Sequence, residues 1–307
     1  MPPVAVRLPV EEWSSRSRAH AERADALTAG HRARRATGER HAVEDFLYEY
    51  YSTRPALLRR WHPGAGAVLE PGSGPAPHAA WRWYATGDDG AVRLDVAAFV
   101  ADRGDTVRFV RRLLAATAAR TAFTGCFGLH EWAMVYRQDE HRHALPLRLG
   151  QVGTDAVVDG HQIRCTHFDA YRFFTPAAVT LNRVRPTRAT QVDLEQPGCL
   201  HASMDVHKWA TKLGPAVPGE LALDCFALAA DVRLLDMQAS PYDLTSYRLA
   251  PVAIETTEGK AEYVRRQREL ADRAGELRAR LLAVCETLLT TVREGGGAEA
   301  ARRTVGG

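Results

Sequence analysis

Residues 11–36 are rich in Glu, Arg and Ala with few apolar positions, which predicts a polar, mostly exposed helix. From about Ala42 the residues Val43, Phe46, Leu47 and Tyr50 recur at helical spacing and predict a second helix. Ser52-Thr53-Arg54-Pro55 should break it, since a capping residue ahead of proline suits the start of a new helix through Trp61. Residues 62–92 hold much of the proline and glycine and predict a long loop, with a short strand pair around Trp81–Ala85 and Ala91–Leu94. Asp95 is placed to cap a short helix that Gly104 interrupts. Asp105 would then cap a longer one, whose Val107, Val110, Leu113, Leu114 and Thr117 form an apolar stripe. Gly125–Tyr136 predicts a further short apolar helix, and residues 144–176 read as irregular or β-like, with alternation at Ile163-Arg164-Cys165-Thr166-His167. Helices over about 188–213, 219–239 and 258–293 follow, and the stretch from Glu294-Gly295-Gly296-Gly297 onward reads as a disordered tail.

This pattern predicts a mainly α protein, a bundle of about seven helices with a central irregular, β-like insertion. One helical domain would span 1–294, with 62–92 and 140–187 as irregular insertions and 295–307 as the tail. Strands are too few for an α/β sheet, and neither GxGxxG nor GxxxxGK[ST] occurs, so nucleotide-phosphate chemistry has no support. Composition changes this little: 46% hydrophobic and 25% charged residues in 307 describe an ordinary globular chain. Forty Lys plus Arg against 37 Asp plus Glu give a net charge of +3, not the gathered basic excess of a nucleic-acid binder. No run approaches the roughly 18 apolar residues of a membrane span, so no membrane partner is expected. Met1-Pro2-Pro3-Val4 shows no basic region ahead of an apolar run, and the five cysteines include no CxxC pair. A cytoplasmic setting with reduced thiols is the expectation.

The chemistry-bearing residues gather mid-chain, with seven of the twelve histidines between His130 and His207. In Cys199-Leu200-His201-Ala202-Ser203-Met204-Asp205-Val206-His207-Lys208, helical geometry puts His201, Asp205, Lys208 and Lys212 on one face. An imidazole and a carboxylate four residues apart can serve one metal ion or one substrate. The alternative is a His hydrogen-bonded to Asp on a half-buried helix. In Thr166-His167-Phe168-Asp169, an extended backbone would put His167 and Asp169 on the same side as a ligand or acid–base pair; a structural polar patch is the other option. His130 and Glu131 interrupt an apolar segment, where unpaired buried charge is costly, and so need partners or solvent. His41, Glu44, Asp45 and Tyr48 share a helical stripe that reads as a solvated face. Glu220, Asp224 and Asp231 form another, facing either a bundle centre or water. His141-Arg142-His143 reads as surface. Arg32, Arg34, Arg35 and Arg40, and Arg183, Arg185 and Arg188, are clusters able to hold phosphates, with acids nearby. No GxSxG elbow is present, and Cys199 near His201 is the nearest approach to a Cys–His arrangement.

Several strings resemble a family of bacterial proteins, many actinobacterial, often catalogued as 3-methyladenine DNA glycosylases. They are His41-Ala42-Val43-Glu44-Asp45-Phe46-Leu47, Arg59-Arg60-Trp61-His62-Pro63-Gly64, Gly125-Cys126-Phe127-Gly128-Leu129-His130-Glu131-Trp132, Glu195-Gln196-Pro197-Gly198-Cys199-Leu200-His201 and Asp236-Met237-Gln238-Ala239-Ser240-Pro241-Tyr242-Asp243-Leu244. The resemblance covers roughly residues 31–270. It implies excision of alkylated purines, with DNA as partner and Trp61, Trp81, Trp83 and Trp132 as aromatic surface for a flipped base. The Leu-Pro-Gly-Val-Gly-like hairpin of helix-hairpin-helix glycosylases does not occur. A looser resemblance is to the haem-oxygenase-like non-haem di-iron enzymes, seven-helix proteins with a late His-x3-Asp-x2-His metal helix. His201-x3-Asp205 matches its first two positions, and Lys208 stands at the third.

The expected function is that of an enzyme acting on a small-molecule substrate through His201, Asp205, His167, Asp169, His130, Glu131 and Lys208. His201, Asp205, His167 and Asp169 would be the ligands if a metal is bound: iron, manganese or zinc by donor type, and an oxygenase-like oxidoreductase if iron. Without metal, His201 or His167 would act as general base. The alternative is the glycosylase, with Asp205 or Glu131 as its carboxylate. A non-catalytic binding protein with structural histidines is the third reading, and a homodimer is left open.

Overall fold

The computed structural model describes residues 5–139, 141 and 144–305, with side chains as far as Val292. It is mainly α. After β1 (Val6–Leu8), α1 (Val10–Thr37) buries only His20, Ala24 and Thr28, a line at four-residue spacing, and leaves its charged surface in water as predicted. Gly38, at φ 75°, ends it in the left-handed conformation with its amide on the Arg34 carbonyl.

The next two predicted helices are shorter than expected: α2 (Phe46–Glu49) and α3 (Pro55–Leu58). The helix does not reach Trp61 because that indole is drawn into a separate small core with Leu8, Leu69, Ala76 and Val92. There its N–H donates to Glu220 Oε1 at 3.0 Å. Residues 62–92 contain β2 (Ala67–Leu69) and β3 (Tyr84–Thr86), and β4 (Val92–Leu94) follows. The strand order is β1-β2-β4-β3, with β1 parallel to β2 and the other pairs antiparallel. The β3–β4 pair is the one predicted. β1 and β2 lie outside that prediction.

Asp95 accepts from the Ala98 amide and caps α4 (Val96–Ala118), which runs through Gly104 without a break. Asp105 therefore starts no second helix and instead pairs with Arg108 at 2.7 Å. The predicted stripe from Val107 to Thr117 is buried throughout. The short α5 (Leu129–Ala133) lies within the predicted 125–136. Residues 144–176, expected to be irregular, contain α6 (Gly150–Asp159) and α7 (Phe168–Tyr171), and α8 starts within them (Pro176–Val179). The helix expected over 188–213 is split into α9 (Gln191–Leu194) and α10 (Leu200–Leu213) by Glu195-Gln196-Pro197-Gly198. α11 (Gly219–Gln238) and α12 (Thr257–Val305) complete the fold, the latter continuing past 293 through the stretch read as a tail. Among the described residues six helices have ten or more residues. None is long and apolar enough to cross a membrane, and all five cysteines are free.

α10 is the centre of this assembly, packed against α4, α11 and α12. All of its residues except Lys208, Thr211 and Lys212 are buried. A helix enclosed over most of its surface obliges its buried polar side chains to find partners inside the protein.

The stripe Glu220, Asp224 and Asp231 faces arginines of the flanking helices rather than the bundle centre: Arg16, then Arg23 and Arg280, then Arg273. Asp45 is not a solvated charge either. It accepts from His31 at 2.9 Å, Arg34 at 2.7 Å and the His41 amide at 2.8 Å. Burial opposes its ionisation, yet Arg34 and His31 hold it down to about 2. The folded value lies below the ordinary one, so the stabilisation is complete above about pH 4 and lost as pH falls toward 2. On the order of 2 kcal/mol is at stake. Asp45→Asn should remove it, and urea unfolding at pH 7 and pH 3 should show a smaller difference between variant and parent at the lower pH. An equal difference at both values would refute the linkage.

Candidate active site

Five separate elements bring the site together. Gly128, at φ 70°, turns the chain into α5 so that His130 and Glu131 point inward. His167 occupies the N-cap of α7, and Glu195 directly follows α9. His201, Asp205 and Lys208 come from the central α10, and Arg233 and Asp236 lie one turn apart on α11.

Two groups of three result, each with ligand-type atoms within 4.8 Å of one another and every member buried. They are His130, His201 and Asp236, and His167, Glu195 and Asp205. His201 joins them, its ring centroid 4.4 Å from that of His130 and 5.3 Å from that of His167. In the first group His130 Nε2 lies 2.7 Å from Asp236 Oδ1, while Arg233 donates to Asp236 Oδ2 at 2.9 Å and to Glu131 Oε1 at 3.0 Å. In the second, His167 Nε2 lies 3.2 Å from Glu195 Oε1 and 3.4 Å from Asp205 Oδ2 without the alignment of a hydrogen bond to either. Tyr51 donates to Asp205 Oδ1 at 2.7 Å, and Gln191 donates to Glu195 Oε1 at 2.6 Å. Lys208 bridges Asp205 Oδ2 at 3.0 Å and Asp169 Oδ2 at 2.8 Å. The Asp169–Lys208 end is the more open one, with side chains 14% and 20% exposed.

The protonation pattern follows from burial and neighbours. Burial alone would discharge His130 and His167. The Asp236 carboxylate for the first, and Glu195 with Asp205 for the second, reverse this and raise both pKa values. His201, between them, is pushed well below its ordinary value by burial and by the charge of His130. Burial opposes ionisation of Asp205, but the Lys208 ammonium and His167 hold it well below the carboxylate range. Glu195 is raised by burial. The centre thus sets a neutral imidazole between two that favour a proton.

Of the predicted residues, His130, His167, His201 and Asp205 converge. Lys208 touches Asp205 through an ion pair, and Glu131 is held by Arg233. Asp169 belongs to neither group: His167 caps a helix instead of lying in a strand, so the expected same-side pair does not form. Glu195 and Asp236, absent from the prediction, take the carboxylate positions. Lys212 is exposed. His207 faces away from the centre and bonds Thr53 at 2.8 Å. Burial pushes the Cys199 thiol well up, so no thiolate nucleophile accompanies His201. Trp61 and Trp132 are core residues, whereas Trp81 and Trp83 are half-buried. His141 sits against Gln138 and Gln151, while Arg142 and His143 lie outside the described residues. The first arginine cluster is partly neutralised: Arg34 by Asp45 and Glu44, and Arg32 by Asp25.

The donor set is two nitrogens and one carboxylate in one group, one nitrogen and two carboxylates in the other. Such a set can hold a divalent cation of intermediate hardness or, without one, move protons among three imidazoles. In comparisons with known proteins, no family model, curated protein or solved structure matches the chain.

Proposed function

We propose that this protein is an enzyme acting on a small molecule through the buried His/carboxylate centre, and that the centre holds a divalent metal ion. Iron is the leading candidate, with manganese and zinc also suited to the donors. One observation carries the reading: His167 Nε2 sits 3.2 and 3.4 Å from two carboxylate oxygens yet is aligned with neither. Ligands about 2.0–2.2 Å from one ion stand roughly 3.0–3.5 Å apart, with lone pairs aimed at the ion rather than at each other. His201 Nδ1, buried without a partner, fits the same account. The His201-x3-Asp205 spacing and the resemblance to a di-iron helix enter as support, with Lys208 as the departure.

When bound, such an ion supplies Lewis acidity, and iron adds the redox capacity of an oxygenase-like enzyme. The chain's own residues position the donors. Tyr51 and Lys208 fix the two oxygens of Asp205, Gln191 fixes Glu195, and Arg233 fixes Asp236. Without an ion, His201 offers an unpartnered ring nitrogen, Nδ1, as a proton acceptor in the centre.

The glycosylase reading draws less support. Its carboxylates, Asp205 and Glu131, are buried and salt-bridged, and the indoles Trp61 and Trp132 are packed in the core. Salt-dependent binding to duplex DNA, with base release from methylated DNA, would restore it.

The deciding measurement is elemental analysis of the purified protein beside Asp205→Asn and His201→Leu. About one or two equivalents of iron, manganese or zinc, reduced by each substitution, are expected, with protons released when the stripped protein is reloaded. A protein that is metal-free as purified, and takes up none of the three ions, overturns the metal.

A further inference from the structure

The two faces of α10 serve different purposes. His207 is two positions from Asp205, about 200° around the helix, and lines a cavity of about 340 Å³ on the side away from the His/carboxylate centre. Its apolar lining includes Leu57, Leu58, Ala210 and Val217, with the indoles of Trp81 and Trp83. Arg54, Arg60 and Arg82 also line it, and no Asp or Glu does.

The positive charge is partly uncommitted. Arg82 pairs with Asp102 at 2.9 Å and lies 4.2 Å from the Trp83 ring centroid. Arg60 lies 5.7 Å from the Trp81 ring centroid. Arg54 and Arg60 have no carboxylate partner among the described residues, unlike Arg7, Arg16, Arg23, Arg34 and Arg59. The two histidines of the lining add polarity rather than charge. Burial lowers His62 to about 3 and His207 to about 4, and each has one ring nitrogen engaged, by Tyr84 and Thr53 respectively.

The backbone is strained at two places on this rim. Ser52 at φ 52° and Trp83 at φ 65° hold left-handed conformations without being glycine, and both line the cavity. Such conformations are strained and persist where surrounding structure imposes them, often at ligand clamps.

We infer that this cavity binds a planar aromatic anion, its ring against Trp81 and Trp83 and its charge on Arg54 and Arg60. The volume suits a one- or two-ring body, and the size, apolar lining and few convergent polar groups are those of a small-molecule site. A guanidinium beside an indole offers both a stacking plane and a fork for a carboxylate or phosphate. The inference stands apart from the metal centre, since it uses none of its residues.

The test is isothermal titration of the full chain with 2-naphthoate, adenosine monophosphate, inorganic phosphate and neutral 2-naphthol. At least one of the two aromatic anions should bind with a dissociation constant below about 1 mM. It should bind about tenfold or more tighter than 2-naphthol and phosphate, and Arg54→Ala/Arg60→Ala and Trp81→Ala should each weaken it by about tenfold. Preference for naphthoate assigns a carboxylate ligand, and preference for the nucleotide assigns a phosphate. Both arginines are exposed and without ion pairs, so the double variant should fold, and its metal content should match the parent's. Binding of neither anion overturns the inference, as does binding that survives the arginine substitutions or that 2-naphthol or phosphate equals.

Discussion

Asp205→Asn is expected to lower stability by about 3–5 kcal/mol and to remove metal from the protein in the same step. The side chain is 1% exposed and holds Tyr51, Lys208 and His167 at once. Asparagine keeps the volume, so the loss is electrostatic rather than a packing defect. Lys208 would retain only Asp169, at the more exposed end of the network. His167 would retain only Glu195, whose own ionisation burial already disfavours. The Tyr51 hydroxyl would trade a carboxylate for a neutral amide. Breaking a buried pair from one side costs more than the pair contributes, because the surviving charge stays desolvated. Tyr51→Phe is the matched control: it deletes one hydrogen bond to a charged group, worth about 1.5–3 kcal/mol, and leaves all six candidate ligand atoms in place. Denaturant unfolding with elemental analysis on each variant reads both effects. A loss under about 1 kcal/mol for Asp205→Asn, or metal retained at the parental level, would contradict the role given to this carboxylate.

What the sequence made legible was local. The i, i+4 spacing of His201 and Asp205 placed them on one helical face, and the structure keeps that face inside. His130 and Glu131 in an apolar segment predicted a need for partners, and Arg233 and Asp236 are those partners, about a hundred residues further along. Which distant residues would answer was not legible. Asp236 stands in a largely apolar stretch of α11, and Glu195 precedes a Gln-Pro-Gly run that reads only as a helix break. The sequence carries one signal for Asp236: Arg233 and Asp236 form a charged pair at i, i+3 among Val, Leu and Met residues, which, like His130 and Glu131, requires buried partners. The His167–Asp169 pair failed for a related reason. Period-2 reasoning presumes a strand, and one turn of helix starting at Phe168 rotates Asp169 out of register, toward Lys208. Helix lengths were misjudged wherever the stopping force was tertiary, as at Trp61, which leaves α3 to join the core beneath the sheet. The cavity on the far face of α10 was invisible to motif reading. Its lining comes from several short stretches between Ser52 and Ala222, none of which carries a pattern by itself.

His201→Leu is expected to behave in the opposite way to Asp205→Asn: stability unchanged within about 1 kcal/mol, metal content reduced. Although 8% exposed and enclosed by His130 and His167, the His201 ring makes no hydrogen bond to the described residues, and its Nδ1 is buried with nothing to bond. An imidazole desolvated without a partner is a cost the fold carries, so an apolar side chain of similar size relieves that cost while filling the space. It would also leave His130 with Asp236, and His167 with Glu195 and Asp205, so no other buried group loses a hydrogen bond. A structural histidine would give the reverse result, because its removal would orphan whatever it held. The ratio of metal lost to stability lost therefore separates function from scaffold at this position. If two ions are bound, about one equivalent should disappear, since His167, Glu195 and Asp205 keep all their donors. If one ion is shared across the centre, nearly all of it should disappear. Full metal content in a stable His201→Leu protein would remove His201 from the centre and leave the desolvated ring unexplained.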